Sequence, residues 1–145
     1  MVALPDVNVL VALAWPIHVH HELVHKWLAG HGDQQWATCP LTQSGFVRVS
    51  SNRNVIPAAK SPREALRALE SMLAHPQHVF LADHVSIADR QWVAVDKLIG
   101  HRQVTDAHLL GVALMSGAQL VTLDRSLVSL VPAGLDQRQA VAVIV

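Results

Sequence analysis

VALPDVNVLVAL, residues 2–13, decides the fold. Val2 to Leu4 read as a short buried strand and Val7 to Trp15 as a helix stopped by Pro16, so the chain turns from strand to helix at Asp6. The same transition recurs in VTDAHLLGVAL, residues 104–114, where Thr105 caps a helix from Asp106 to Ser116 with Gly117 as its stop. It recurs again in LVTLDRSL, residues 120–127, where a strand over Gln119 to Leu123 runs into Asp124. Between these segments a second helix spans His18 to Ala29, ended by Gly30 and Gly32. Gln35 to Cys39 suit a strand, and Pro40 opens the helix carrying LTQSGFVRV. Ser61-Pro62-Arg63-Glu64 caps a helix to Ala74, His78 to Leu81 form a strand, Ile87 to Leu98 a helix, and Ala140 to Val145 the last strand. Strands alternating with helices specify an α/β fold with a parallel sheet covered on both faces.

Asp6, Asp106 and Asp124 therefore occupy equivalent topological positions. In an open parallel sheet the ligand crevice lies outside the carboxyl ends of the strands, where such turns gather. Each aspartate alone has an ordinary explanation, since its oxygen caps free N–H groups and its charge suits the helix dipole. Three together in a charge-poor chain are a different matter. Like charges a few ångströms apart repel, and an oxygen-rich pocket of this kind suits a hard divalent cation such as Mg²⁺.

Composition narrows the field. At 145 residues, 51% hydrophobic and 15% charged, the chain fits one folded domain, residues 1–145, rather than a disordered tail. Formal net charge is zero, so bulk electrostatics supply no drive towards nucleic acid, although a local patch remains open. The lone Cys39 excludes an internal disulfide or a cysteine-based zinc site. The apolar opening is broken by Asp6 and Asn8, lacks a positive flank, and no stretch approaches the roughly 20 apolar residues of a membrane span. A soluble cytoplasmic protein is expected.

Two further motifs compete. His21-Glu22-Leu23-Val24-His25 matches the H-E-x-x-H signature of zinc hydrolases, with both imidazoles on one helix face and Glu22 as a general base. Against it, Val19, Leu23, Val24, Trp27 and Leu28 form the apolar stripe, so His18, His21 and His25 read as a solvated face able to take up nickel or zinc adventitiously. The chain holds ten histidines, which raises the chance of such a spacing, and no third histidine follows at the expected interval. Arg48, Arg53, Lys60, Arg63 and Arg67 accompany one acid, Glu64; they are either a phosphate-binding segment or a solvated helix face. Trp15, Trp27, Trp36 and Trp92 suit packing better than base stacking.

With LPDVNVLVALAW, WATCPLTQSGFVRV, Thr105-Asp106 in VTDAHLLGVAL, and VTLDRSL in this order, the sequence resembles the PIN domains, specifically VapC-type toxin ribonucleases of the mycobacterial kind. The resemblance spans nearly the whole chain. It implies a three-layer α/β/α sandwich around a central parallel sheet and Mg²⁺- or Mn²⁺-dependent endonuclease action on RNA, such as tRNA or another structured RNA. It also implies a small antitoxin partner and a homodimer. Carried over by residue, Asp6 and Asp106 become metal ligands and Asp124 a further catalytic acid, with Asn8, Thr105 and, from the basic segment, Arg48 as nearby polar candidates. One departure stands out. The family supplies an acid, often glutamate, on the helix after the second strand, and here the counterpart is neutral Gln43. Gln43 still offers a carbonyl oxygen, but the lost charge predicts weaker metal binding, unless Asp83 or Asp89 compensates. A PIN-like scaffold that binds RNA or a partner without cutting is the non-enzyme alternative.

Overall fold

In the computed structural model, which describes residues 1–145, strand and helix alternate along the chain. β1 (Ala3–Pro5), β2 (Trp36–Thr38), β3 (His78–Phe80), β4 (Gln119–Thr122) and β5 (Val141–Val143) form one sheet in the order β3-β2-β1-β4-β5. Every pairing is parallel. α1 (Val7–Ala14), α2 (His21–Ala29), α3 (Pro40–Ser50), α4 (Pro62–Leu73), α5 (Gln103–Met115) and the single turn α6 (Gln137–Ala140) connect the strands. Parallel strands require such crossovers, and the crossovers cover both faces.

Because successive strand residues point to opposite faces, each short strand feeds two cores. Leu4, Ala37, Leu120 and Val141 project to one side, onto Ala107 and Leu110 of α5 and Leu127. Ala3 and Val121 project to the other, onto Val9 and Ala12 of α1 and Val24 of α2. Leu10, Phe46 and Leu69 join α1, α3 and α4 on that same side. The result is the expected three-layer α/β/α sandwich. α1 and α3 cross at Gly45, where any Cβ would collide with the Val7 side chain, so glycine sets how closely the two helices approach.

The chain lays β1, β2 and β3 outward and then returns to place β4 on the other side of β1. In an open parallel sheet, such a reversal puts the ligand crevice at the carboxyl ends of the two strands that flank it, here β1 and β4. The Asp6 N–H donates to the Val121 carbonyl at 2.9 Å and ties those two ends together.

Several boundaries differ from the sequence pattern, each for a local reason. No α-helix forms over Ile87 to Leu98; the stretch is a run of turns with one 3₁₀ turn at Val95–Lys97. Asp83 Oδ1, Ser86 Oγ and Asp89 Oδ1 accept from the N–H groups of Val85, Ala88 and Gln91, each two residues on, and these local bonds displace the helical ladder. α2 starts at His21 rather than His18, because His18 Nδ1 takes the His20 N–H at 3.0 Å and holds a turn. α5 starts at Gln103, so Thr105 is not its cap. Gln103 Oε1 instead reaches back to the N–H groups of Ile99 (2.7 Å) and Gly100 (3.3 Å). Ala140 ends α6 rather than opening β5. No helix is long and apolar enough to cross a membrane.

Candidate active site

Asp6 is the buried centre of the crevice, only 7% exposed. It is the N-cap of α1: Oδ1 accepts from the Val9 N–H at 2.9 Å, while Oδ2 accepts from the Thr122 hydroxyl. The Thr122 oxygen in turn accepts the Asp124 N–H at 3.0 Å. One fully buried hydroxyl at the end of β4 therefore links the Asp6 carboxylate to the backbone of Asp124. Asp124 caps the 3₁₀ helix Arg125–Leu130, with Oδ1 accepting from Ser126 N–H at 2.9 Å and Oδ2 left free. Asp106 lies in the first turn of α5, half-buried, with no hydrogen bond of its own.

The charges of Asp106 and Asp124 both reach Asp6. Burial pushes the Asp6 carboxyl from its ordinary 3.8 up to about 6; the bonds from Thr122 and Val9 oppose that rise, and the charges of Asp106 and Asp124 add to it. Burial also raises Asp106, with the Asp124 charge as second cause. No arginine or lysine pairs with any of them, since the ion pairs of the molecule are Arg90–Asp96 and His108–Asp83. A carboxylate cluster with this unrelieved repulsion fits a hard divalent cation. The side chains do not by themselves enclose one: no group of three or more His, Cys, Asp or Glu comes together as a ready cage. Asp6 and Asp106 are the residues able to hold an ion, with water and substrate oxygens completing its shell, as Mg²⁺ prefers.

Gln43 is in the first turn of α3, beside the carboxyl end of β2. Its Nε2 donates to Thr38 Oγ1 at 2.9 Å, and Thr38 Oγ1 also contacts His78 Nε2 at 2.8 Å, so a three-residue network fixes the amide. Asp83 and Asp89 do not replace a missing acid. Asp83 Oδ2 lies 2.9 Å from His108 Nε2 and its Oδ1 takes the Val85 N–H, while Asp89 holds its own turn. Asn8 and Thr105 are exposed and make no side-chain hydrogen bond. Arg48 is exposed in the last turn of α3, about 12 Å along the helix from Pro40 and so away from the crevice.

Thr122 belongs to a motif that the sequence shows, but it has no site role until the fold is known. Its signal was present in Thr122-Leu123-Asp124, a hydroxyl in a strand two residues before the acid, but its bond to Asp6 crosses 116 positions of sequence. The zinc motif also looks different in three dimensions. His21 and His25 face α1 rather than solvent alone: His21 Nδ1 lies 2.7 Å from the Ala12 carbonyl and His25 Nε2 3.2 Å from that of Leu13, while Glu22 is exposed. These carbonyls end a helix and lack donors within it, which is what draws the imidazoles in. All four tryptophans are half-buried, as packing residues are.

Known proteins carry the same pattern. The PIN domain family matches residues 3–130. Ribonuclease VapC38 of Mycobacterium tuberculosis is 48% identical over 128 residues, covering 88% of this chain and 89% of that protein. Ribonuclease VapC39 of the same organism is 42% identical over 135 residues, covering 93% and 97%. Ribonuclease VapC44 is 39% identical over 145 residues, covering 97% and 99%. In fold, the chain resembles a structure described as VapBC2 from Rickettsia felis bound to a DNA fragment from their promoter, at a TM-score of 0.62 and 13% identity over 90% of this chain and 96% of that one. With a carboxylate crevice at the β1–β4 switch and identities of this size along nearly its whole length, the chain belongs to the PIN-domain family, among the VapC-type proteins.

Proposed function

We infer that this protein is the endoribonuclease toxin of a toxin–antitoxin pair, acting as one domain over residues 1–145 and hydrolysing RNA phosphodiester bonds at the acidic crevice. The observation that carries the reading is the group Asp6, Asp106 and Asp124, in which the Asp6 and Asp106 carboxyls are raised by burial and by neighbouring acids, with no basic side chain paired to any of the three. Its similarity to the mycobacterial ribonucleases supports RNA as the substrate. The solved neighbour described as VapBC2 supports a cognate antitoxin as the partner. We assign a homodimer and a cytoplasmic site of action to the same reading.

A Mg²⁺ or Mn²⁺ ion held by Asp6 and Asp106 would polarise the scissile phosphoryl group and acidify water. The chain's own residues set the geometry. Thr122 and the Val9 N–H fix the plane of the Asp6 carboxylate before substrate arrives, which removes an ordering cost from the reactive complex. Asp124, anchored through Oδ1, presents Oδ2 to accept a hydrogen bond from the attacking water and orient it. Asp106, free of structural bonds, is the carboxylate whose loss should harm chemistry without harming the fold.

The test is cleavage of end-labelled structured RNA with Mg²⁺ or Mn²⁺, set beside EDTA and beside Asp106→Asn. Defined fragments in the wild type, absent from both controls while the metal-free melting temperature of Asp106→Asn stays level or rises, are the expected result. Fragments that persist in Asp106→Asn would sink the assignment.

A further inference from the structure

The H-E-x-x-H stretch is left over by the nuclease reading, and its geometry has a use of its own. We propose that His21 and His25 form a second cation site, for a borderline transition metal such as Zn²⁺ or Ni²⁺, independent of the acidic crevice. The two rings sit one helical turn apart on α2, with centroids 4.3 Å apart and planes inclined at 55°. An i, i+4 histidine pair on one helix face is the spacing at which two imidazoles can share one ion, with Zn–N bonds of about 2.0–2.1 Å.

A carbonyl oxygen only accepts, so the contacts to Ala12 and Leu13 place the ring protons on His21 Nδ1 and His25 Nε2. The lone pairs then remain on His21 Nε2 and His25 Nδ1. A ligating histidine characteristically donates its other ring N–H to a carbonyl or carboxylate, which fixes its tautomer and orientation. Here both donations go to the last turn of α1, so the support is part of the helix–helix contact. Neither ring has a carboxylate partner, because the histidine ion pair of the molecule is His108–Asp83.

His18 and His20 crowd the same corner. Burial, then the neighbouring His20 and His21, lower the His18 pKa below its ordinary value. His18 is not a third ligand as it stands, since its Nδ1 is taken by the His20 N–H. With no third side chain in reach, the ion keeps water, and binding is reversible rather than structural. Glu22 is exposed and no closed ligand set surrounds the pair, so this is a binding site and not a zinc hydrolase centre. Ligand softness keeps the two sites apart: imidazoles favour zinc and nickel, while the carboxylate crevice favours magnesium and manganese. α2 also has a reason to respond, because its N-cap, His20, makes no side-chain capping bond, and a cross-link between positions 21 and 25 would hold its first turn.

The test is calorimetric titration of the untagged protein with Zn²⁺ in excess Mg²⁺, with melting curves alongside. One ion per chain and a raised melting temperature are expected in the wild type and, unchanged, in Asp106→Asn. His25→Ala removes an exposed ring and should leave the metal-free melting temperature and Mg²⁺-dependent cleavage as they were, while weakening zinc binding at least tenfold. A zinc isotherm unaltered in His25→Ala and in the His21→Gln, His25→Ala double variant would overturn the proposal. So would zinc binding that disappears in Asp106→Asn. Failure of RNA cleavage would leave either outcome readable.

Discussion

At the scale of single residues, Asp6 does two jobs that pull in opposite directions. It caps α1, which favours the carboxylate, and it is buried beside two other acids, which disfavours it. Burial wins, so the folded pKa lies above the unfolded one. The protonated form is therefore the one that folding favours, and metal-free stability falls as pH rises from 3.8 through about 6. The full loss is on the order of 3 kcal/mol for a shift from 3.8 to about 6. Asp6→Asn keeps an oxygen for the Val9 N–H and removes the charge, so it should melt higher than wild type at pH 7, with the gap closing towards pH 4. Mg²⁺ should narrow the same gap by stabilising only the wild type; a gap independent of both pH and metal would refute this account. Gln43→Glu supplies the acid that the family usually carries and should tighten Mn²⁺ binding about tenfold. Equal Mn²⁺ affinity in that variant would put position 43 outside the ion's reach.

At the scale of elements, the crevice depends on how closely α1 and α3 approach. Gly45 lies against Val7, the residue directly after Asp6, and a valine side chain has little rotamer freedom to move aside. Gly45→Ala should therefore cost roughly 1–3 kcal/mol by overpacking. Combining it with Val7→Ala should cost less than the sum of the two single changes, as denaturant titrations of the four proteins would reveal. Strict additivity would mean that the crossing relaxes elsewhere. α5 teaches a related lesson about helix starts. Thr105 has a capping side chain, yet α5 starts one turn earlier at Gln103, with no side-chain cap at Arg102 and with the Gln103 Oε1 holding the preceding Ile99–Gly100 turn, so Asp106 lies in the first turn rather than at its edge.

At the scale of the whole molecule, zero formal net charge means that RNA is not gathered by the bulk field. Any electrostatic contact must be local; the exposed residues Arg48, Arg53, Lys60, Arg63 and Arg67 are one basic segment, and exposed Arg102 and Arg125 flank the acids in sequence. Arg48 is at the end of α3 remote from the acids, so such contact would hold flanking RNA rather than the scissile phosphate. Arg48→Ala with Arg53→Ala should lower the salt slope of binding to single-stranded RNA by about 1.4, leaving the rate of bound substrate unchanged. An unaltered slope would remove this segment from the binding surface.

Sequence by itself determined the alternation of strand and helix, the placement of Asp6 and Asp124 at the carboxyl ends of strands, the helix that carries Asp106, and the departure at Gln43. These are legible because period and turn chemistry are written in neighbouring residues. The strand-like approach expected before Asp106 is instead turns and coil, and Asp106 lies inside α5. The tertiary structure decided the rest. Only the strand order brings β4 beside β1, so only the fold could pair Thr122 with Asp6 or make one carboxylate feel the other two. Only side-chain competition with the backbone could turn Ile87–Leu98 from an expected helix into a chain of turns. The histidines of α2 read as a solvated face because helical periodicity sees one helix at a time. The carbonyl ends of α1 that orient them belong to another element, and contact between elements is what a local pattern does not contain.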